Sequence, residues 1–481
     1  MHWRAIIRLF GLLLMLYSLS FLPSLALALL YQDGQWLVFL NSLMMTASTG
    51  LLLWLPNIHA NSELSVHDGF LIVALFWALL GLVGALPFIF GLHLSLTDAV
   101  FESISGFTTT GATVIAGLDR LPQSILYHRQ QIQWLGGMGV IVLAVAILPL
   151  LGVGGMQLYR AEASGVTKHE KPTPRIGETA RVLWSLYFGL TAACALAFWL
   201  AGMTVFDAVG HAFTTVATGG FSTHDASIGY FDSPLIESIA IVFMLAGAVN
   251  FAIHFVVWRD LDVRAYLRDP ETRVFGLIFF GGSLFIAASL YWAGVYADAL
   301  SSLRYGTFQV VSILTSTGFG TATFGDWPLH IPLVLVILSF TGGCGGSTAG
   351  GIKVLRVMLL FKLGMRQLLQ FAHPHAVLEI KVGQRVARDD VLLSVWGFYV
   401  LYVATCLLLT VAMMAAGLDL ESAFGAAFTT VNLCGPGLGE VAASFATVDS
   451  VVKWLGIFGM LAGRLEIFTL LILFTPAFWR Y

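Results

Sequence analysis

Stretches of roughly 20 consecutive apolar residues, the length that carries a helix across the hydrocarbon core of a bilayer, recur along this chain from end to end. They fall near 6–30, 36–56, 67–92, 132–153, 180–203, 235–258, 274–296, 391–416 and 451–478. A tenth, near 329–370, is interrupted by Gly342-Gly343-Cys344-Gly345-Gly346-Ser347-Thr348-Ala349-Gly350-Gly351. Each Gly in a helix costs about 1 kcal/mol relative to Ala, so this span is expected as two half-helices around an irregular loop. The composition agrees: 11% of the residues are charged, against about 25% in an ordinary soluble domain. No polar stretch is long enough to fold separately, and one membrane domain is expected.

The run from Ile6 to Leu30 is too long for a signal-peptide core and lacks a clear small-residue cleavage site, so it reads as a retained first helix. Lys and Arg collect in three connections: Arg160, Lys168, Lys171, Arg175 and Arg181; Arg259, Arg264, Arg268 and Arg273; Lys362, Arg366, Lys381, Arg385 and Arg388. Such clusters belong in the cytoplasm. With Arg4, Arg8 and Arg480 on the same side, ten crossings place both termini inside. The basic residues form no stripe, which argues against nucleic acid as a partner. Cys194, Cys344, Cys406 and Cys434 stand singly in apolar segments, without the spacing of a zinc site or disulfide framework.

The four segments expected on the outer side, near 93–131, 204–234, 297–328 and 417–450, are alike. Each has an amphipathic stretch too short to span, running into a Thr/Gly-rich turn: Thr108-Thr109-Thr110-Gly111, Ala217-Thr218-Gly219-Gly220, Thr315-Ser316-Thr317-Gly318 and Asn432-Leu433-Cys434-Gly435. Anchored on Gly111, Gly219, Gly318 and Gly435, the copies lie 108, 99 and 117 residues apart. One Thr-Gly turn is commonplace, but four at matched positions mark a repeat. Irregular backbone at membrane depth persists only where protein buries it or water reaches it, so the four turns are expected to meet. Their carbonyls can replace the hydration shell of a monovalent cation, with a Gly permitting the positive φ that the turn requires. The short helices would aim their partially negative C-termini at the same cavity. Asp98 and Asp207 suit the opposite ends as caps.

On these turns, on Gly342 to Lys353, on Asn432 to Glu440 and on Gly463-Arg464-Leu465-Glu466-Ile467-Phe468-Thr469, the chain resembles the Trk/Ktr/HKT superfamily of potassium transporters, in its TrkH-type membrane subunits. The resemblance covers nearly the whole chain. It implies four helix–pore loop–helix repeats around one pore, preceded by two extra N-terminal helices. The segments are then a hairpin at 1–65 and repeats at 66–157, 158–258, 259–372 and 373–481, the third holding the gating loop. It implies K⁺ uptake across the bacterial inner membrane, with K⁺ as the transported ion and no covalent cofactor. The K⁺-binding filter would be Thr109, Thr110 and Gly111; Ala217, Thr218 and Gly219; Ser316, Thr317 and Gly318; and Leu433, Cys434 and Gly435. It further implies a homodimer in membrane lipid, gated by a separate cytosolic TrkA-like nucleotide-binding ring. Gly342, Gly343, Gly345, Gly346, Ser347, Thr348, Gly350 and Gly351, with Arg464, would form the intramembrane gate.

The glycine run is not a phosphate-cradling loop, because Ile352 separates Gly351 from Lys353 and the flanks are apolar helix. Arg464 lies deep in the last apolar span, where a charge is a functional candidate by default. Its neighbour Glu466 points elsewhere on a helix and is expected to find another partner. His211 and His254 read as hydrogen-bonded interior residues. Gly50, outside the repeat, offers a neutral comparison for the filter glycines. No enzyme is expected, since no catalytic pair stands out. An ion-coupled symporter is the rival reading, although it predicts inverted paired repeats, and these four units share one orientation.

Overall fold

The computed structural model describes residues 2–60, 65–142, 176–376, 378–383 and 385–480. Arg160, Lys168, Lys171 and Arg175, the end of the 132–153 span and the boundary drawn at 157/158 lie outside the described residues. Six helices are long and apolar enough to cross a membrane: Trp3–Tyr31, Trp36–Asn57, His67–Leu92, Arg181–Leu200, Pro270–Trp292 and Asp389–Ala415. Two bent pairs raise the number to 8 among the described residues. Large side chains such as Leu52, Leu200, Phe280 and Leu408 are exposed on these helices, while Glu102, Arg129, Gln130, Gln133 and Asn432 are buried. Apolar outside and polar inside is the arrangement that a lipid solvent selects.

Two expected spans are not continuous. Pro234–Ala248 and Phe251–Asp260 meet at 101°, and Ser450–Arg464 and Ile467–Phe474 meet at 117°. The first break has a local cause in Asn250, whose side chain accepts from Ala252 N–H at 2.8 Å and starts a new helix. At the second, Glu466 adopts φ 53°, a left-handed conformation that an L-residue helix does not continue through. The third repeat breaks as expected, into His330–Thr341 and Val354–Ala372. Its glycine loop is thus the long form of an interruption that, among the described residues, three repeats share. Among the described residues, the one exception to an all-α fold is a two-stranded hairpin, Lys381–Val382 against Arg385–Val386, in a polar connection.

Four short helices, Leu96–Phe107, Val205–Val216, Ala299–Leu314 and Leu420–Asn432, follow the first helix of each repeat. Each packs on both helices of its own repeat and on the second helix of the preceding one, and the second helix of the fourth repeat, Ser450–Arg464, packs on the first short helix. The repeats therefore close in a ring. The N-terminal helices Trp3–Ser18 and Trp36–Trp54 pack outside it. Gly50 sits at their crossing, where an added Cβ would lie 2.7 Å from the Gly11 carbonyl oxygen. It is a packing residue, so its substitution is no neutral comparison.

Candidate functional site

The four short helices begin and end alike. Ser95 and Thr204 accept from the amides of Asp98 and Asp207, each at 3.1 Å; Asp298 and Asp419 accept from Ser301 and Ser422. Asp98 and Asp207 are thus not the caps themselves: each sits three residues on and accepts the hydroxyl of its capping residue, at 2.8 and 2.7 Å. At the other end a non-glycine residue turns left-handed: Thr109 (φ 56°), Thr218 (50°), Ser316 (52°) and Leu433 (58°). The next amide then bonds five residues back, Thr110 to Ser105, Gly219 to Thr214, Thr317 to Ser312 and Cys434 to Thr429, at 2.9, 2.8, 2.8 and 3.0 Å. A second left-handed residue follows, Gly111 (81°), Gly220 (78°), Gly318 (83°) and Gly435 (87°). Left-handed backbone costs an L-residue about 1–2 kcal/mol. Four such residues at matched positions are strain of the kind that marks a functional site.

These hydrogen bonds shift the register of the second turn by one residue. Gly220, and not Gly219, matches Gly111, Gly318 and Gly435; Thr218 and Gly219 match Thr109 and Thr110, and Ala217 matches Thr108. The doublet Gly219-Gly220 hid this in the sequence. The seams between turns follow the same register. A Cβ on Gly111 would run into the carbonyl of Gly219, on Gly220 into that of Thr317, and on Gly318 into that of Cys434; on Gly435 it would lie 3.0 Å from that of Thr110. Each glycine lies against the carbonyl preceding the next turn's glycine, and the fourth contact returns to the first turn.

The side chains behind this ring left no signal in a single sequence. Arg129 is buried beside Glu102, with Nε donating to Oε1 at 2.7 Å. It also donates to the Thr113 hydroxyl and the Ser222 carbonyl, both at 3.2 Å, and lies 4.0 Å over the Phe221 ring. Glu102 accepts from Val114 N–H at 2.9 Å, so this ion pair ties the segments after the first two turns. Removing one member of a buried pair typically destabilises by about 3–5 kcal/mol. Arg129→Gln is expected to lower thermal stability in detergent by that order, and Glu102→Gln with Arg129→Met to recover part of it. A single variant within about 1 kcal/mol of the parent would contradict the bracing role.

Gln133 brackets the second turn, donating from Nε2 to the Gly219 carbonyl at 2.6 Å and accepting from Phe221 N–H at 3.0 Å. Outside the helices, Asp225 accepts from Gly117 and Leu118 N–H at 3.0 and 3.1 Å. His224 Nδ1 lies 2.5 Å from Asp119 Oδ1, a contact that holds the Asp119 carboxyl below its ordinary range. His211 bridges Asp207 O and Ser222 Oγ, and His254 bridges Ala246 O and the Tyr266 hydroxyl; both are interior hydrogen-bonded residues.

The glycine loop lies directly against the turns. The Thr348 hydroxyl shares its one proton between Val216 O and Gly247 O, at 3.1 and 3.0 Å, and accepts from the Thr218 hydroxyl at 3.1 Å. Gly350 N–H donates to Ser316 Oγ at 2.5 Å. The break in the second repeat leaves helix-end groups without helical partners, and the loop supplies them: Cys344 N–H to Ala248 O at 2.8 Å, Thr348 N–H to Gly247 O at 3.3 Å, and Phe251 N–H to Gly346 O at 3.2 Å. Gly342, Gly346 and Gly351 hold positive φ, while Gly343 and Gly350 pack so closely that a Cβ would lie 2.9 Å from Ala248 O and from Leu433 Cβ, respectively. Ser347 closes a turn onto Cys344 O at 2.6 Å, and Gly345 N–H reaches Glu271.

Arg464 joins this group from the last broken helix, donating to Thr348 O and Gly136 O, both at 3.0 Å. Glu466 pairs instead with Arg356, each carboxylate oxygen at 3.0 Å from Nη2. The sequence-predicted gate residues are therefore brought together beneath the sequence-predicted turns, with Thr348 touching both Thr218 and Arg464.

The family described as TrkH, cation transport protein, matches residues 36–481. The chain is 52% identical to the Trk system potassium uptake protein TrkH of Halomonas elongata and 51% identical to that of Escherichia coli K12, in both cases over 100% of each chain. A crystal structure of the potassium transporter TrkH from Vibrio parahaemolyticus matches with a TM-score of 0.93 at 49% identity, again over 100% of both chains.

Proposed function

This chain belongs to the TrkH family of cation transport proteins, membrane transporters and not enzymes, and on that premise we propose that it takes up K⁺ through the ring of four turns. The observation that carries this reading is the cyclic seam, in which each second glycine lies against its neighbour's carbonyl. Paired left-handed residues separated by one of opposite φ direct successive carbonyls to one side, where they replace the water around a desolvated monovalent cation. Four helix C-termini add partial negative charge. K⁺ is cargo, and an inside-negative potential supplies about 2.3 kcal/mol per charge per 100 mV for its entry.

In this reading ten crossings keep both termini cytoplasmic in the bacterial inner membrane, two such chains associate as a homodimer, and a separate cytosolic TrkA-like nucleotide-binding ring moves the gate. The gate is the loop from Gly342 to Gly351 with Arg464, a reading supported by the loop's contacts to Thr218 and Ser316 in two of the turns. Expression in cells lacking their own K⁺ uptake systems is expected to restore growth at low K⁺, and failure of the correctly inserted protein to do so would refute uptake. Deleting three loop residues, Ser347 to Ala349, is expected to raise K⁺ flux in liposomes without the cytosolic ring and to leave the K⁺ over Na⁺ preference intact. A folded deletion with unchanged flux would remove the loop as a gate.

A further inference from the structure

The two ends of the glycine loop converge on one carboxylate oxygen. Glu271 Oε1 accepts from Gly345 N–H at 2.8 Å, near the start of the loop, and from Leu355 N–H at 3.1 Å, in the first turn of the helix that follows it. The neck is closed as well by Val354 N–H donating to Gly343 O at 3.1 Å and Ile352 N–H to Phe340 O at 2.9 Å. Glu271 itself belongs to another element, the first turn of Pro270–Trp292, which Asp269 caps by accepting from Thr272 N–H at 2.7 Å. An acid in a helix's first turn ordinarily serves that helix's dipole. Here Asp269 does the capping, and Glu271 is buried with its carboxylate turned onto the loop. Two hydrogen bonds on one buried carboxylate oxygen add a side-chain clamp to the backbone bonds of the neck, and so restrain the hinge of a glycine-rich loop whose backbone is intrinsically permissive.

We propose that Glu271 is the latch of the gating loop, a positioning residue that holds Gly345 and Leu355 together and so keeps Thr348 and Gly350 against the turns. The proposal rests on the gate reading above. The loop can leave the cation's path only by pivoting about its neck, and the neck is fixed to the first helix of the third repeat by this carboxylate. Arg464 holds the tip of the loop from the other side, at Thr348 O. Glu271 and Arg464 thus reinforce, from opposite sides, the backbone and hydroxyl contacts that seat the loop against the turns, and loosening either shifts the loop toward the open arrangement.

The test is Glu271→Ala in the full chain, reconstituted in liposomes without the cytosolic ring. K⁺ flux is expected to rise about tenfold, with the K⁺ over Na⁺ ratio unchanged. Alkylation of Cys344, buried within the loop, followed by peptide mass mapping, is expected to accelerate in parallel. Glu271→Gln keeps an acceptor oxygen and is expected to give a smaller rise in both. Should Glu271→Ala fail to fold, Glu271→Gln carries the test, with the smaller rise in flux and in Cys344 labelling expected of it. A folded variant with parental flux and parental Cys344 labelling overturns the latch. If the loop deletion raises flux and these variants do not, the latch is wrong and the gate stands; if the deletion also leaves flux unchanged, the gate reading itself has failed.

Discussion

Gly220→Ser is expected to lower the K⁺ over Na⁺ flux ratio by about tenfold or more, since a change of about 1.4 kcal/mol in relative cation binding is tenfold. At φ 78° a side chain costs about 1–2 kcal/mol in backbone strain alone. Its Cβ also runs into the Thr317 carbonyl of the third turn, one of the oxygens proposed to ligand the ion. The loss is thus of spacing between ligands, which selectivity senses more than throughput does. Gly111, Gly318 and Gly435 hold the same conformation and their serine variants should behave alike. Gly281, in the interior of Pro270–Trp292 with no atom near its would-be Cβ, provides the neutral comparison that Gly50 cannot: Gly281→Ala should leave the ratio unchanged. Parental ratios in all four serine variants would remove these turns from the ion's path.

Arg464→Ala is expected to raise K⁺ flux about tenfold or more in the absence of the cytosolic ring. The guanidinium is buried and bonds two carbonyl oxygens, one on the loop and one on the Gln123–Val142 helix. Removing it releases Thr348, and it also withdraws a fixed positive charge whose repulsion of a cation is stronger in a low-dielectric interior than in water. Hydrogen bonds to charged groups contribute about 1.5–3 kcal/mol each, enough for a shift of that size. Arg464→Lys keeps the charge but not the fork that reaches both carbonyls, so it separates the two contributions: flux near parental levels assigns the effect to charge, and a rise like that of Ala assigns it to the contacts. Because Glu466 is paired with Arg356, Arg464→Ala strands no carboxylate, and the protein should remain folded. Intact Arg464→Ala that conducts no faster would exclude Arg464 from the gate.

Much of this arrangement was legible in the sequence because lipid imposes length and periodicity on helices. The recurrence of Thr-Gly turns gave the repeat, and the glycine run gave the one long break. The breaks at Val249–Asn250 and Leu465–Glu466 were not legible, since apolar residues continue on both sides and the interruption depends on an Asn cap and on one left-handed Glu. In the second turn, two adjacent glycines satisfied the pattern equally, and only the amide bond from Gly219 to Thr214 fixes which one turns left-handed. Arg129 and Glu102, Gln133, and Glu271 act through tertiary contacts between elements far apart in sequence. No local spacing announces such contacts. Arg464 was conspicuous as a buried charge, but its partners are backbone carbonyls, which a sequence does not distinguish from any others.

Ion flux into liposomes containing the purified protein, under an imposed inside-negative potential, tests most directly whether the ring of turns is a K⁺-selective path. With the loop shortened so that gating does not limit the rate, K⁺ and Rb⁺ should enter far faster than Na⁺, and Gly220→Ser in the same background should abolish most of that preference. Equal entry of K⁺ and Na⁺ through the parental turns, or a preference that survives Gly220→Ser undiminished, would contradict the account.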